Sequence, residues 1–302
     1  MTAHRDFGRP VDVLGVGAAT WDHFWIIDDF AAEERVCAAA DHAFMGGGPV
    51  ATALCVLARH GHKVALLDVG GDDAPGLALR NELDRHGVDT GAIQVVPGRQ
   101  SATAGILVRR SDGTRQIHYH PSDAGEPAWN ETTASLVRGA RLLHLNGRHE
   151  NTARAAVACA EVYGVTISFD GGAGRWRESL RDLVNRSHLR LVSRDFARHF
   201  AGSDTLEAQF AALLQPPARV VVLTDGIRGS HLALPDGTRH HQPAFSTEPL
   251  VDTTGCGDVF QGAFLHGWLN GWPASECSAF AARLAARNAE GLGGRHALGR
   301  SS

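Results

Sequence analysis

Asp252-Thr253-Thr254-Gly255-Cys256-Gly257-Asp258, leading into Val259-Phe260-Gln261-Gly262-Ala263-Phe264, is the stretch on which the reading of this chain turns. Two glycines flank one small residue just before an apolar run with helical spacing. The first N–H groups of a helix have no partner inside it, and the helix dipole adds partial positive charge there. Gly255 and Gly257 lack a Cβ, so a phosphate can approach the backbone closely. Asp258 falls in the first helical turn, beside the place such a phosphate would take. An anion cradle with an adjacent carboxylate suits phosphoryl transfer. Its N–H donors stabilise the transferring group, and the carboxylate takes the proton of an attacking hydroxyl. The plainer alternative is a helix start after a glycine turn.

The segment resembles the second signature of the ribokinase-like sugar kinases, also called the phosphofructokinase B family. That signature reads Asp-Thr-Xaa-Gly-Ala-Gly-Asp, and only Cys256 departs from it. The resemblance runs from about Val11 to about Gly294. It implies an α/β, ribokinase-like fold: a mainly parallel sheet covered by helices on both faces, with a small discontinuous β lid. It also implies one kinase domain over residues 1–302, its lid formed by segments near 22–45 and 101–120.

The pattern along the chain agrees with this. Val11 to Gly17 reads as a buried opening strand. Gly15-Xaa-Gly17-Xaa-Xaa-Thr20 lacks the third glycine of a dinucleotide fingerprint, and the strand-like run Asp22 to Ile27 that follows argues against a nicotinamide-binding turn. Helices are expected from Val50 to His60, with Pro49 at the first position and Gly61 as the stop, and from Pro75 to His86. Strands are expected at Lys63 to Val69 and near 35–45, and 101–110 and 115–120 flank the turn signal Ser111-Asp112-Gly113-Thr114. Strands at 141–145, 166–170, 189–192 and 219–223 then alternate with helices at about 151–163, 175–185 and 204–214, the pattern of a parallel sheet. A second hairpin flanks Asp236-Gly237, and helices at about 258–270 and 273–291 close the chain.

Bulk composition narrows the function. The 302 residues are 43% hydrophobic and 21% charged, with a net charge of −4, an ordinary globular profile that favours neither nucleic acid nor an acidic membrane. No apolar run approaches a membrane span, and Met1 to Asp6 holds no signal-peptide core. Five scattered cysteines read as reduced thiols of a cytoplasmic protein. The 17 histidines, among them His118, His120, His240 and His241, show no spacing of a zinc or facial-triad site.

Asp258 is the candidate catalytic base, with Gly255, Cys256 and Gly257 offering N–H donors to the transferring phosphate. Thr224, Gly226 and Gly229, in Val222-Leu223-Thr224-Asp225-Gly226-Ile227-Arg228-Gly229, resemble the family's Thr-Xaa-Gly-Xaa-Xaa-Gly nucleotide loop and so imply ATP binding. Asp22 matches a family residue that grips two sugar hydroxyls; the alternative is a solvated edge-strand carboxylate. Gly46, Gly47 and Gly48 match the first signature, Gly-Gly-Xaa-Xaa-Xaa-Asn, whose glycines let sugar lie against backbone; Ala51 replaces its Asn. Magnesium is implied with ATP, bound through phosphates and water. A monovalent cation, potassium in the family, is implied at Asp252 and Thr254 with backbone near Gly294. A thiol at a helix start, Cys256, is expected to be acidic and reactive, with ATP protecting it.

Two closer resemblances compete. Leu143-His144-Leu145-Asn146-Gly147-Arg148-His149 and Val192-Ser193-Arg194-Asp195-Phe196-Ala197-Arg198-His199 look like ketohexokinase, and the chain shares that enzyme's lack of an Asn-Xaa-Xaa-Glu motif. Gly46 to Ala53, His241-Gln242-Pro243-Ala244-Phe245 and Gly293-Gly294-Arg295 look like sulfofructose kinase. In that enzyme an Arg at the position of Arg148 and a Lys near Arg35 help hold a sulfonate, a task suited to a guanidinium. The Asn of that pocket is replaced here by Tyr119 or His120. Arg148 is thus either an anion ligand or a salt-bridged strand-end arginine.

The expected function is ATP-dependent phosphorylation of a primary hydroxyl on a small ketose-like sugar, of fructose type or an anionic analogue such as sulfofructose. A nucleoside kinase with Trp25, Phe44 and Tyr119 under the lid is the alternative, as is a non-catalytic sugar or nucleotide sensor. Exposed lid strands favour a homodimer through the lid.

Overall fold

The computed structural model describes residues 11–34 and 36–299. The readings of Met1 to Asp6 and of Arg35 therefore lie outside the described residues.

The chain opens with β1 (Val13–Val16), β2 (Thr20–Ile27), β3 (Asp41–Gly47), α1 (Pro49–Arg59), β4 (Val64–Gly71) and α2 (Ala74–Arg85). Next come β5 (Val88–Asp89), β6 (Ile93–Val96), β7 (Thr103–Arg109), β8 (Arg115–His120), α3 (Glu131–Gly139), β9 (Leu142–Leu145) and α4 (Glu150–Tyr163). They are followed by β10 (Thr166–Gly171), α5 (Arg181–Asn185), β11 (Leu189–Ser193), α6 (Arg194–Ala201), α7 (Leu206–Leu213) and β12 (Val220–Thr224). The hairpin β13 (Ser230–Ala233) and β14 (Arg239–Gln242) precedes α8 (Cys256–Leu269) and α9 (Ala274–Asn288).

The main sheet has the order β14-β13-β12-β11-β10-β9-β1-β4-β5, with β6 also on β4. It is parallel from β12 through β5, and the β12–β13–β14 edge is antiparallel. Its strands are apolar on both sides because helices cover both faces. Leu14, Val16, Leu143 and Leu145 point to a core shared with α4 and α6, through Ala153, Val157 and Phe196. Val13, Leu142, Val220 and Val222 point to the opposite core, with Leu54, Leu57, Phe264 and Ala281 of α1, α8 and α9.

Strand order reverses at β1, with β4 on one side and β9 on the other. Open α/β sheets bind ligands in the crevice at the carboxyl ends of strands around such a switch point. The chain leaves β1 there and enters a second sheet, β3-β2-β7-β8, in which β2 and β7 pair in parallel and the outer pairs are antiparallel. Phe24, Ala104, Ile106 and Val108 form its own small core, backed by Met45 and Leu292. This is the lid of a ribokinase-like fold.

Several expectations are corrected. Strand β3 begins at Asp41, so the 35–45 segment is a strand only in its second half. Helix 175–185 reduces to a 3-10 turn at Glu178–Leu180 and the short α5, because Arg177 caps the turn in an extended conformation. Helices α3 and α6 lie where no helix is expected from the sequence. The first starts at a capping box in which Thr133, not a Glu or Gln, answers Asn130. The second starts at Ser193, whose hydroxyl accepts from Phe196 N–H, and stops at Gly202 with φ +64°.

Candidate active site

Asp22 sits on β2, only 6% exposed, and its Oδ1 has no hydrogen-bond partner. Burial pushes its carboxyl up to about 6, against the pull of the Thr20 hydroxyl and Arg295, while Asp258 and Glu82 add to the rise. The three glycines on β3 and at the start of α1 each have a separate reason to lack a side chain. A Cβ on Gly47 would lie 2.0 Å from Asp22 Oδ2; one on Gly46 would lie 2.4 Å from Arg295 Nη1; Gly48 has φ +92°. Ala51, in the place of the family Asn, is wholly buried.

Behind these glycines lies a buried ion pair. Arg295 Nη1 donates to Glu82 Oε1 at 2.8 Å and Nη2 to the Gly47 carbonyl at 3.1 Å, while Glu82 Oε2 accepts from Gly46 N–H at 2.6 Å. The Gly46 N–H and the Gly47 carbonyl, the backbone groups on either side of the Gly46–Gly47 peptide, are thereby held.

Asp22 pairs with Ala104 on β7, and Ala104 with Tyr119 on β8. Residues directly opposite across strands share a face, so Asp22 and Tyr119 stand on one side of the lid, roughly 10 Å apart across two strand spacings, with a methyl between them. The Arg148 guanidinium lies 4.5 Å from the Tyr119 ring centroid, and among the described residues it has no carboxylate partner. It is exposed, at the mouth of the loop after β9, where Asn146 Oδ1 accepts from Arg148 N–H at 3.1 Å. Trp25 and Phe44 belong to the other face of the lid, where His42 lies 5.5 Å from Trp25 and 5.7 Å from Phe44 between ring centroids. Trp25, Phe44 and Tyr119 therefore do not line one cleft.

On the other side of the site, α8 begins at Cys256 behind Gly255, which has φ +70° and leaves the helix start without a side-chain cap. A Cβ on Gly255 would lie 2.3 Å from Gly294 Cα, so this glycine admits the close passage of the C-terminal segment. Gly257 is different. A Cβ there would meet no atom within 4 Å, which leaves open space over the helix start, where the Cys256 N–H reaches the Thr253 carbonyl only at 3.4 Å. Asp258 follows in the first turn. Burial raises its pKa, while Arg175, Arg115 and Arg295 pull it down. Arg115 of the lid donates to Thr253 Oγ1, tying β8 to the loop before α8.

A second carboxylate lies next to Asp258. Asp170, at the end of β10, accepts from Gln261 Nε2 at 3.0 Å through Oδ1, while Oδ2 is buried without a hydrogen bond and 3.7 Å from Arg175 Nη1. Burial lifts Asp170 to about 7, with Arg175 opposing and Asp258 assisting.

Thr224 ends β12. Beyond it Asp225 is gripped by Arg228 at 2.9 and 2.6 Å, and Gly226, with φ +56°, faces open space. Gly229 is set by the hairpin: a Cβ there would lie 2.0 Å from the Gln242 carbonyl oxygen. Asp252, fully buried, accepts through Oδ1 from Thr254 N–H and hydroxyl at 2.8 and 2.7 Å, and through Oδ2 from Gly293 N–H at 2.9 Å.

A model for pfkB family carbohydrate kinases matches residues 12–298. The chain belongs to that family. Among curated proteins it is 29% identical over 273 residues to an ATP-dependent ribose-1-phosphate kinase of Halopiger xanaduensis, covering 86% of this chain and 85% of that one. It is 26% identical over 277 residues to a nucleoside kinase of Methanothermobacter thermautotrophicus, covering 91% and 88%. Among solved structures, the Arabidopsis thaliana ribokinase complexed with ribose and ATP superposes with a TM-score of 0.81 at 21% identity, over 97% of this chain and 96% of that one, a likeness of fold.

The acidic, reactive Cys256 thiol expected from its place at a helix start meets an opposing influence in the structure. Burial pushes the thiol up to about 11, with the Asn288 amide beside it pulling the other way. Sequence reasoning also missed Asp170, Glu82 and Asn288, which carry no motif of their own and acquire partners only through the fold. The same holds for the buried pair His149 Nε2 and Asp68 Oδ1 at 2.8 Å, whose Asp68 Oδ2 also accepts from Ala19 N–H. That pair pins the loop after β1 to the start of α4.

Proposed function

We propose that this kinase moves the γ-phosphoryl group of ATP to a primary hydroxyl of a small ketose-like sugar, and that the sugar carries an anionic group, as sulfofructose or a sugar phosphate does. The observation that carries the reading is the cross-strand row Asp22–Ala104–Tyr119, which sets an unpaired buried carboxylate oxygen opposite an uncompensated guanidinium. Asp22 Oδ1 lacks the donor that a sugar hydroxyl supplies, and an orphaned buried acceptor costs stability unless a ligand meets it. Arg148 offers the planar fork suited to phosphate or sulfonate oxygens. The kinship with a protein named for ribose-1-phosphate points the same way.

ATP supplies the phosphoryl group, and magnesium arriving with it screens the phosphate charge. Open space over Gly257 and Gly226 fits phosphates at the α8 start and in the Thr224 loop. There the N–H groups of Gly255, Cys256 and Gly257 hold the transferring group. Asp258 orients the sugar hydroxyl and takes its proton. Arg115 and Arg175 place positive charge around it. The lid's outer face, with Trp25 41% and Phe44 50% exposed, supports pairing of two copies through the lid.

The test is ADP release with magnesium and ATP over fructose, sulfofructose, ribose, ribose-1-phosphate and adenosine, for wild type, Asp258→Ala and Arg148→Leu. Turnover of an anionic sugar is expected, abolished in Asp258→Ala and weakened through KM in Arg148→Leu. Preference for adenosine, or an Arg148→Leu variant with unchanged KM, would overturn the anionic-sugar reading.

A further inference from the structure

The relationship to potassium-using kinases implies a monovalent cation at Asp252 and Thr254 with backbone near Gly294. We propose instead that the side-chain amide of Asn288 fills this position permanently, so that the enzyme works without a monovalent cation. Asn288 Nδ2 donates to the Thr254 carbonyl at 3.0 Å and to the Gly293 carbonyl at 3.1 Å. These are the backbone oxygens a cation would draw on from the two segments, since such ions are held by carbonyl oxygens that replace their hydration shell. An amide nitrogen has two hydrogens, one for each carbonyl. Its orientation is fixed from the other end, where Asn288 Oδ1 accepts from Ala297 N–H at 3.1 Å. A flipped amide would set its oxygen against both carbonyl oxygens and its N–H groups against the Ala297 N–H.

The carboxylate is committed as well. Three donors of the chain itself, from Thr254 and Gly293, already meet Asp252. Asn288 and Asp252 are both fully buried. Entry of a cation would have to expel the amide into a packed interior and compete with the donors that already meet the carboxylate. The amide does what the ion would do: it ties the loop before α8 to the C-terminal segment, and so fixes the path of Gly255 against Gly294.

The inference rests on the kinase reading, but a melting readout separates the two because it needs no turnover. Wild type and Asn288→Ala are melted, and assayed for ADP release, in chloride salts of potassium, sodium and tetramethylammonium at equal ionic strength. Wild type is expected to melt at one temperature in all three and to turn over at rates within roughly twofold. Asn288→Ala, with both carbonyls freed, is expected to melt lower in tetramethylammonium and to be raised selectively by potassium. A potassium-selective rise in the wild-type melting temperature overturns the proposal, as does an Asn288→Ala variant indifferent to potassium. If that variant does not fold, the wild-type comparison alone still decides.

Discussion

Arg295 and Glu82 meet in a buried ion pair at 2.8 Å although 213 positions separate them. Glu82 lies on α2 and Arg295 lies beyond α9, and the step they brace, Gly46–Gly47, runs past Asp22. Arg295 also pulls on Asp22 electrostatically. On the proposed reading, the pair would position the sugar side of the site from behind the two glycines.

Removing one member of such a pair leaves a buried, uncompensated charge, at a cost of about 3–5 kcal/mol. Arg295→Met is therefore expected to lower the melting temperature clearly. If the pair positions Gly46 and Gly47, KM for the sugar should rise roughly tenfold while KM for ATP moves far less, and Arg295→Lys should restore part of it. Loss of melting temperature with both KM values intact would leave the pair a stability role only.

The glycines separate into two kinds. Alanine at Gly47 would thrust a methyl to 2.0 Å from Asp22 Oδ2, so Gly47→Ala should lose about 1–3 kcal/mol of stability and raise the sugar KM. Alanine at Gly257 meets nothing of the chain, and it gains helix propensity. Gly257→Ala should melt no lower than wild type yet lose roughly 10²-fold in kcat, because its methyl occupies the space kept for the transferring group. Melting curves beside steady-state kinetics for both variants test the distinction. A Gly257→Ala enzyme of normal kcat would remove the phosphate from that place.

This contrast also marks how far the sequence could be read. The 252–258 segment announced α8, its uncapped start and Asp258, because a glycine turn before an apolar periodic run is local information. The alternation of strands and helices announced the parallel sheet for the same reason. Pairings set by the fold were not legible. Glu82 is only one polar position of the expected 75–86 helix until Arg295 returns from the far end of the chain, and Asp170 only the end of an expected strand until α8 sets Gln261 on it. Cys256 shows the limit most directly: the helix start argues for an acidic thiol, and only the packing reveals the burial that pushes the other way.

Cys256 should accordingly be slow toward alkylation. With its thiol pushed up to about 11, the thiolate fraction at pH 8 is about one in a thousand. Cys37 is exposed. Peptide mapping after brief iodoacetamide treatment at pH 8 should find Cys37 modified well before Cys256, and ATP should change little. Rapid modification of Cys256 that ATP blocks would restore the acidic-thiol expectation.

Asp22 links pH to both stability and activity. Its carboxyl rises from 3.8 to about 6 on folding because burial strips its hydration. A group whose folded pKa is raised binds its proton more tightly in the folded state. The stability that proton confers is fully present below about 4 and is lost as pH rises through about 6. Asp22→Asn removes the ionisation altogether. The folding free energy of the Asn variant relative to wild type should therefore shift in favour of Asn by about 2.5 kcal/mol between pH 4 and pH 8, whatever the packing difference at either end. Denaturant melts of both proteins at the two pH values measure that change directly. A flat difference would mean that Asp22 is not desolvated in the folded protein. In the proposed reaction the requirement is reversed, since an ionised Asp22 would be the form that accepts from sugar hydroxyls. The kcat/KM of wild type should fall off on the acid side near pH 6. Asp22→Asn should lose most of its kcat/KM at every pH, through the sugar and not through ATP. The residue is held in a state that costs the fold stability at neutral pH, and on the proposed reading the sugar hydroxyls would meet the oxygen that the fold leaves unpaired.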